Sequence, residues 1–442
     1  MDEVGFVFGR FAVLLSLLLA CGALIAGCGG DDDGGGGEGG GESAARTEGA
    51  KVIDPTSMEG AKGTVKFCQG KDTTGAVAAL KKNFNAKFAS QGLKMEFVEF
   101  PASADEQRNQ FIQRQQAKSD DCDVFGSDVI WTAEFAQQKW LYDLTPYMEK
   151  RRSEFIPAPL ETVDYDGKLW GAPLNTDASF IYYRTDKADA VPATWQELYS
   201  QASEGDGIVF QGAAYEGLTC DWLELAFAAG GTVLSEDGTK ATIDSPENVE
   251  ATQLMVDVIK NGGAPKAVTT YMEPESLAAF QTGKYTFMRN WPYAYALNQK
   301  ADKVKGKFKV APLPEFEGAG KAGVLGGADV VISAYTKNPG GALALLDYIS
   351  GPEHQKLIAT EFSLGPVLDE TYDEPAVKKA LPFSAELKQA VSQAKARPVS
   401  PVYPQISQAI YKNVNQALSG QISAEDAMKQ AQADIEKALA TF

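Results

Sequence analysis

The chain has 442 residues, of which 44% are hydrophobic and 10% aromatic, enough to bury a substantial core. Its 59 acidic side chains outnumber 41 basic ones, a formal net charge of −18. That balance argues against nucleic acid and against a basic membrane-binding patch, since both need clustered Lys and Arg; a neutral partner fits better.

An apolar stretch over 11–19 is too short for a bilayer span and leads through Leu24-Ile25-Ala26-Gly27 to Cys28. A short apolar segment followed by small residues reads as a secretory signal peptide over 1–27. Cys28 resembles the lipobox cysteine of bacterial lipoproteins, which takes a diacylglyceryl group and becomes the mature N-terminus. The resemblance implies an exported chain, lipid-anchored to the outer face of the cell membrane. Asp2 and Glu3 precede Arg10 where signal peptides are normally net positive, which fits a true start at Val4. From 28 to 62 the chain is mostly Gly, Asp, Glu and Ser without hydrophobic period, and reads as a flexible linker. A coil of that length spans roughly 30 Å. Its acid run Asp31-Asp32-Asp33 lacks the further ligands of a calcium cage and reads as solubilising.

The remaining ~380 residues suit two domains rather than one small core. A strand is expected over 64–68, then a helix with Val77, Leu80, Phe84 and Phe88 on one face. A strand over 95–100, a helix over 106–117, a strand over 122–125 and a helix over 134–140 follow. This β-α-β-α-β order predicts a parallel sheet with helices on its faces. Further on, a strand is expected over 179–183, and Thr194-Trp195-Gln196-Glu197 is a capping box. Ser245-Pro246 opens a helix with Val249, Leu254, Val258 and Ile259 inward. Strands are expected over 308–310 and 329–333, and Ser423 caps a last helix carrying Ala427, Ala431, Ile435 and Leu439. Trp131, Trp140 and Trp195 read as core.

Three cysteines lie beyond the leader. Cys68 and Cys122 sit on expected strands and would bridge if those strands are neighbours, which the sequence leaves open; Cys220 reads as a buried free thiol. With one histidine and no CxxC, neither a histidine-based zinc site nor a Ser-His-Asp triad is supported. No metal and no cofactor is expected. His354, near a helix start, reads as a surface residue.

The run Asp123-Val124-Phe125-Gly126-Ser127-Asp128-Val129-Ile130-Trp131, with Phe135, Trp140-Leu141 and Leu144, resembles the solute-binding lipoproteins of carbohydrate ABC importers. So do Asp177 through Tyr182-Tyr183-Arg184, Tyr215-Glu216-Gly217-Leu218, Arg289-Asn290-Trp291-Pro292-Tyr293, and Arg397-Pro398 with Tyr403-Pro404. In order, and over about 64–442, the set is most similar to the trehalose/maltose-binding branch. The resemblance implies an α/β, two-lobe periplasmic-binding-protein fold of type II kind, with three hinge crossings near 173–176, 310–314 and 364–367. The N-lobe would combine 64–174 with 315–365, and the C-lobe 176–312 with 368–442. It implies a non-enzymatic, monomeric receptor that captures a sugar between the lobes and delivers it to transmembrane permease subunits.

A pyranose presents vicinal hydroxyls to carboxylates and guanidinium groups and a C–H face to an aromatic ring. By resemblance, Asp128 and Asp177 would accept hydroxyl hydrogen bonds, while Arg397 and Arg108 would donate. Asp72 or Thr73 would reach in from the loop after the first strand. Trp291 would stack on a ring beside Tyr293, and Gly327 would let backbone approach. Two positions depart from the branch: Ala328 follows Gly327 where a tryptophan is usual, and Asn175 stands where an aromatic is expected. Trehalose itself is therefore less well supported than a different α-glucoside or a larger, more polar oligosaccharide. Asp72 also fits a helix cap, Arg108 a surface position and Arg397 a salt-bridge partner. Rival readings are an importer receptor for a non-sugar solute, a secreted glycosidase using Asp128 and Asp177, and a surface adhesin or scaffold.

Overall fold

The computed structural model describes residues 47–441. The signal-peptide reading of 1–27, the lipidation site Cys28 and the linker up to 46 lie outside the described residues.

The described chain is built on two sheets. Strand β1 (Gly63–Gly70) pairs in parallel with β2 (Leu93–Phe100) and with β3 (Val124–Asp128), joined by helices Ala76–Lys87 and Ala104–Gln116 as the periodicity predicts. A small hairpin follows, β4 (Asp164–Tyr165) and β5 (Lys168–Leu169), and then β6 (Gly171–Asp177). The second sheet takes β7 (Phe180–Arg184), β8 (Ile208–Val209), β9 (Phe287–Asn290) and β10 (Phe308–Ala311) in the order β10-β7-β9-β8. Strand β11 (Gly326–Ile332) returns to the first sheet, antiparallel between β3 and β6, giving the order β2-β1-β3-β11-β6.

Both sheets are covered on both faces, and alternation along each strand feeds two cores. In the first sheet Val65, Phe67, Val124, Val330 and Ile332 face one cluster, while Cys68, Phe125 and Val331 face the other. In the second, Ile181 and Tyr183 pack against helices Glu216–Ala228, Pro246–Lys260, Tyr403–Leu418 and Ala424–Leu439. Phe180 and Tyr182 face the opposite side, with Phe383 and Leu387.

Three connections join the halves. The chain leaves the first sheet at Asp177 and enters the second at Phe180. It returns between Ala311 and Gly326. The third passes the segment after helix Pro352–Phe362, where Thr176 donates its N–H to the Gly365 carbonyl at 2.9 Å. Pro173, expected at a hinge, sits inside β6, opposite Asp329 at a register shift that absorbs its missing N–H.

Caps hold the helices where the sequence places them. Glu197 donates its N–H to Thr194 Oγ1 at 3.2 Å and accepts the Thr194 N–H, completing the box that opens helix Trp195–Glu204. Ser245 and Ser423 cap their helices with the hydroxyl alone, accepting the N–H of Asn248 and of Asp426. Cys68 and Cys122 are bonded, their Cα atoms 5.9 Å apart, and Cys220 is a buried free thiol.

Two expectations need correction. The linker was expected to run to residue 62, yet 47–62 pack onto the first half. Thr47 donates to Asp166 Oδ2 through its N–H and hydroxyl, and Ile53 is buried with its N–H on the Asp143 carbonyl at 2.9 Å. A polar segment without side-chain periodicity still carries a backbone that can pair. His354, expected at the surface, is 3% exposed, and its ring lies 5.9 Å from that of Tyr348. It occupies the inward face of helix Pro352–Phe362, together with Ile358 and Ala359.

Candidate ligand-binding cleft

The topology brings four strand ends to one edge of the first sheet. The carboxyl ends of β1, β3 and β6 and the amino end of antiparallel β11 lie side by side. Register then sets Ala328 opposite both Asp128 and Asn175, and Gly326 opposite Asp177. Open α/β sheets place ligands at such carboxyl edges. From the other half come Trp291 and Tyr293, just past β9, the starts of helices Glu216–Ala228 and Glu273–Gln281, and the segment holding Arg397.

Two adjoining cavities occupy the space between. One, of about 270 Å³, is lined by Asp128, Asn175, Asp177, Trp291, Tyr293, Gly327, Ala328 and Arg397, with Tyr215 and Glu216. The other, of about 230 Å³, is lined by Lys71, Asp72, Thr73, Asn175, Tyr293, Glu273 and His354 among others. Ala102, Asn175, Glu273 and Tyr293 line both, so the two are compartments of one cleft. Nine of the ten expected ligand-binding residues border it. Arg108 does not: Glu134 takes its guanidinium, with Nε at 2.7 Å from Oε2 and Nη2 on Oε1.

The carboxylates differ in what holds them. Asp128 accepts Arg397 Nη2 on Oδ1 at 2.7 Å. Asp177 accepts Asn175 Nδ2 on Oδ2 at 2.9 Å, while its buried Oδ1 has no partner among the described residues. Burial pushes Asp177 up to about 7, against the opposing pull of the Asn175 hydrogen bond and the Arg289 charge. Asp72 spends its carboxylate on the helix that follows, accepting N–H groups from Thr74 at 3.0 Å, Gly75 at 2.8 Å and Val77 at 3.0 Å. Its capping role is thus real, and it caps from a position that also borders the cleft.

Trp291 is held from behind. The Arg289 guanidinium lies 4.1 Å from its ring centroid, a cation–π contact. Arg289 is itself 2% exposed and ion-paired with Asp221 at 2.7 Å and with Glu224. Tyr182 donates to the Trp291 carbonyl at 2.8 Å and fixes the backbone. A Cβ added at Gly326 would meet the Trp291 ring edge at 2.9 Å, so the strand passes close beneath it. Gly327 adopts φ +116°, and a Cβ there would strike the Asn175 carbonyl oxygen; only glycine fits.

Arg397 is 4% exposed and bridges two carboxylates, Asp128 through Nη2 and Glu216 through Nη1, each at 2.7 Å. Glu216 also accepts the Tyr403 hydroxyl at 2.6 Å and the Ser407 hydroxyl. Burial pushes Glu216 up to about 7, opposed chiefly by the Arg397 charge. Glu216, Asp221, Glu224 and Arg289 support the site without being singled out by residue type or spacing. The motifs Tyr215-Glu216-Gly217-Leu218 and Arg289-Asn290-Trp291 contained two of them, and a carboxylate every few residues on an otherwise apolar helix was the available signal for the rest.

The described residues hold no cluster of His, Cys, Asp or Glu suited to a metal, and no helix among them is long and apolar enough to cross a membrane. Residues 70–356 match the family model described as bacterial extracellular solute-binding protein. The chain belongs to that family. It is an exported solute-binding protein of the ABC-transporter type, not an enzyme. A probable ABC transporter-binding protein of Deinococcus radiodurans is 36% identical over 79% of this chain and 87% of its own. The solved structure of maltose-bound MalE3 of T. maritima is 35% identical and covers 85% of this chain and 99% of its own, with a TM-score of 0.80. The GacH receptor of Streptomyces glaucescens, solved unliganded and with acarbose, shares the fold at 24% identity, a TM-score of 0.78 and coverage of 86% and 99%.

Proposed function

We propose that this solute-binding protein captures a sugar, an α-linked di- or oligosaccharide of the maltose or trehalose kind, in the cleft between its halves. The observation that carries the reading is the convergence of Asp128 and Asp177 with a face of Trp291 on one cleft. Carboxylates accept hydroxyl hydrogen bonds while an indole covers a C–H face. Two adjoining compartments suit at least two rings. Similarity to a maltose-bound relative at 35% identity supports the same class. Ala328 and Asn175 leave the cleft without two aromatic platforms, which favours a larger or more polar α-glucoside over trehalose itself.

In this reading the lobes are 64–174 with 315–365 and 176–312 with 368–442, and they close on the ligand about the three connections. Closure presents a surface to the importer's permease subunits. The receptor acts as a monomer, anchored by lipid on Cys28. Calorimetry and thermal shift on the domain from residue 47 onward, against maltose, maltotriose, trehalose and glucose, test the ligand class. Saturating sugar at a hundred times its dissociation constant adds about 2.7 kcal/mol of stability. If no carbohydrate raises the melting point while an amino acid, peptide or polyamine does, the sugar reading is wrong.

A further inference from the structure

Arg397 reaches from the half built on the second sheet to Asp128 at the edge of the first. A guanidinium that must cross a cleft needs an anchor on its own side, because a free arginine loses rotamer entropy each time it is ordered. Glu216 is that anchor. Both of its oxygens are engaged from its own half, Oε1 by Arg397 and Tyr403 and Oε2 by Ser407. It opens helix Glu216–Ala228, where the helix dipole favours a carboxylate. Its backbone N–H also crosses the gap, donating to Asp105 Oδ2 on helix Ala104–Gln116 at 3.2 Å. One residue therefore takes part in two of the polar links between the halves at this end of the cleft, where the Tyr411 hydroxyl also bonds to Asp105.

We propose that Glu216 is a positioning residue for ligand capture: it pre-orients Arg397 so that closure and the orientation of the Asp128 carboxylate are one event. With Arg397 holding Oδ1 of Asp128, Oδ2 is left for a ligand hydroxyl. When the halves separate, Arg397 keeps Glu216 and gives up Asp128. The ligand arm of the inference rests on the reading of the cleft as a sugar site; the closure arm does not.

The test combines Glu216→Gln, which keeps the shape and loses the charge, with Asp128→Asn and the double variant. Maltose is titrated into each by calorimetry, and interlobe distances are read in sugar-free protein from spin labels at Lys81→Cys and Lys429→Cys. Glu216→Gln is expected to weaken maltose binding about tenfold in the native background and by less than twofold beside Asp128→Asn. In sugar-free protein it should shift the distance distribution toward longer values. A residue that serves stability alone would lower the melting point of Glu216→Gln but leave affinity within twofold and the distances unchanged; that result overturns the proposal, as does an equal loss in both backgrounds. If native protein fails to bind maltose or any other sugar, the sugar reading falls, and the distance measurement alone decides the role of Glu216.

Discussion

Trp291 owes its place to what stands behind it. The Arg289 guanidinium supports the ring, and Asp221 and Glu224 hold that charge inside the protein. Removing the ring should therefore cost binding without unfolding the fold: Trp291→Ala is expected to weaken sugar binding about tenfold, roughly 1.4 kcal/mol, in calorimetry. Asp177 makes a prediction in pH. Its carboxyl is held up to about 7 by burial, so it is mostly protonated in the folded protein near pH 6 and mostly ionised near pH 8. An ionised carboxylate accepts from ligand hydroxyls with both oxygens, so affinity should rise across that window. Asp177→Asn should flatten the profile; a profile unchanged by the substitution would show that another group titrates. Asp128, Asp177 and Trp291, expected by resemblance to a known family, line one cavity. Glu216 and Arg289 were not picked out, because a buried charge is recognised by its partners, and those lie up to 191 residues away in the chain.

Elements whose signals are local came through well. The apolar periodicity of helix Ala76–Lys87 and the Thr194 box of helix Trp195–Glu204 both depend on neighbours within a few residues. Helix Pro352–Phe362 shows where such reading stops. His354 follows Pro352 and Glu353 at a helix start, and only packing against Tyr348 turns it inward. Burial lowers its pKa to about 4. As pH falls below about 6.5 the unfolded chain takes up a proton that the folded protein refuses until about pH 4. His354 thus contributes stability that is fully present above about pH 6.5 and is lost on the way down to 4. The full span is about 3 kcal/mol. Urea unfolding at pH 7 and pH 4.5 should show a smaller loss for His354→Phe than for the native protein, and an equal loss would rule out this histidine as the source. Residues 47–62 depart from a flexible linker for a related reason: their order comes from backbone pairing with Asp143 and from packing on helix Pro339–Ile349, which composition does not register.

At the scale of the molecule, the described residues form a pair of sheets joined by three connections, and the first half carries a covalent staple. Cys68 and Cys122 are separated by 54 residues, and a loop of that length restricts the unfolded chain by an amount worth about 4 kcal/mol in the chain-entropy picture. Cys68→Ala with Cys122→Ala should lower the unfolding free energy by about 2–4 kcal/mol in denaturant titration while sugar affinity at low temperature holds. By itself, the sequence determined the two-region α/β organisation and the caps, because helix and strand periodicity and capping are written in near neighbours; its candidate cleft residues came through resemblance to a known family. Only the tertiary structure decided which of those residues meet. The antiparallel insertion of β11 between β3 and β6 brings Asp128, Asn175, Asp177 and Gly327 to one edge. Arg108 is drawn away to Glu134, and Glu216 is set behind Arg397. Such pairings are fixed by register and by the cost of leaving buried charges unpaired, both of which act between distant parts of the chain.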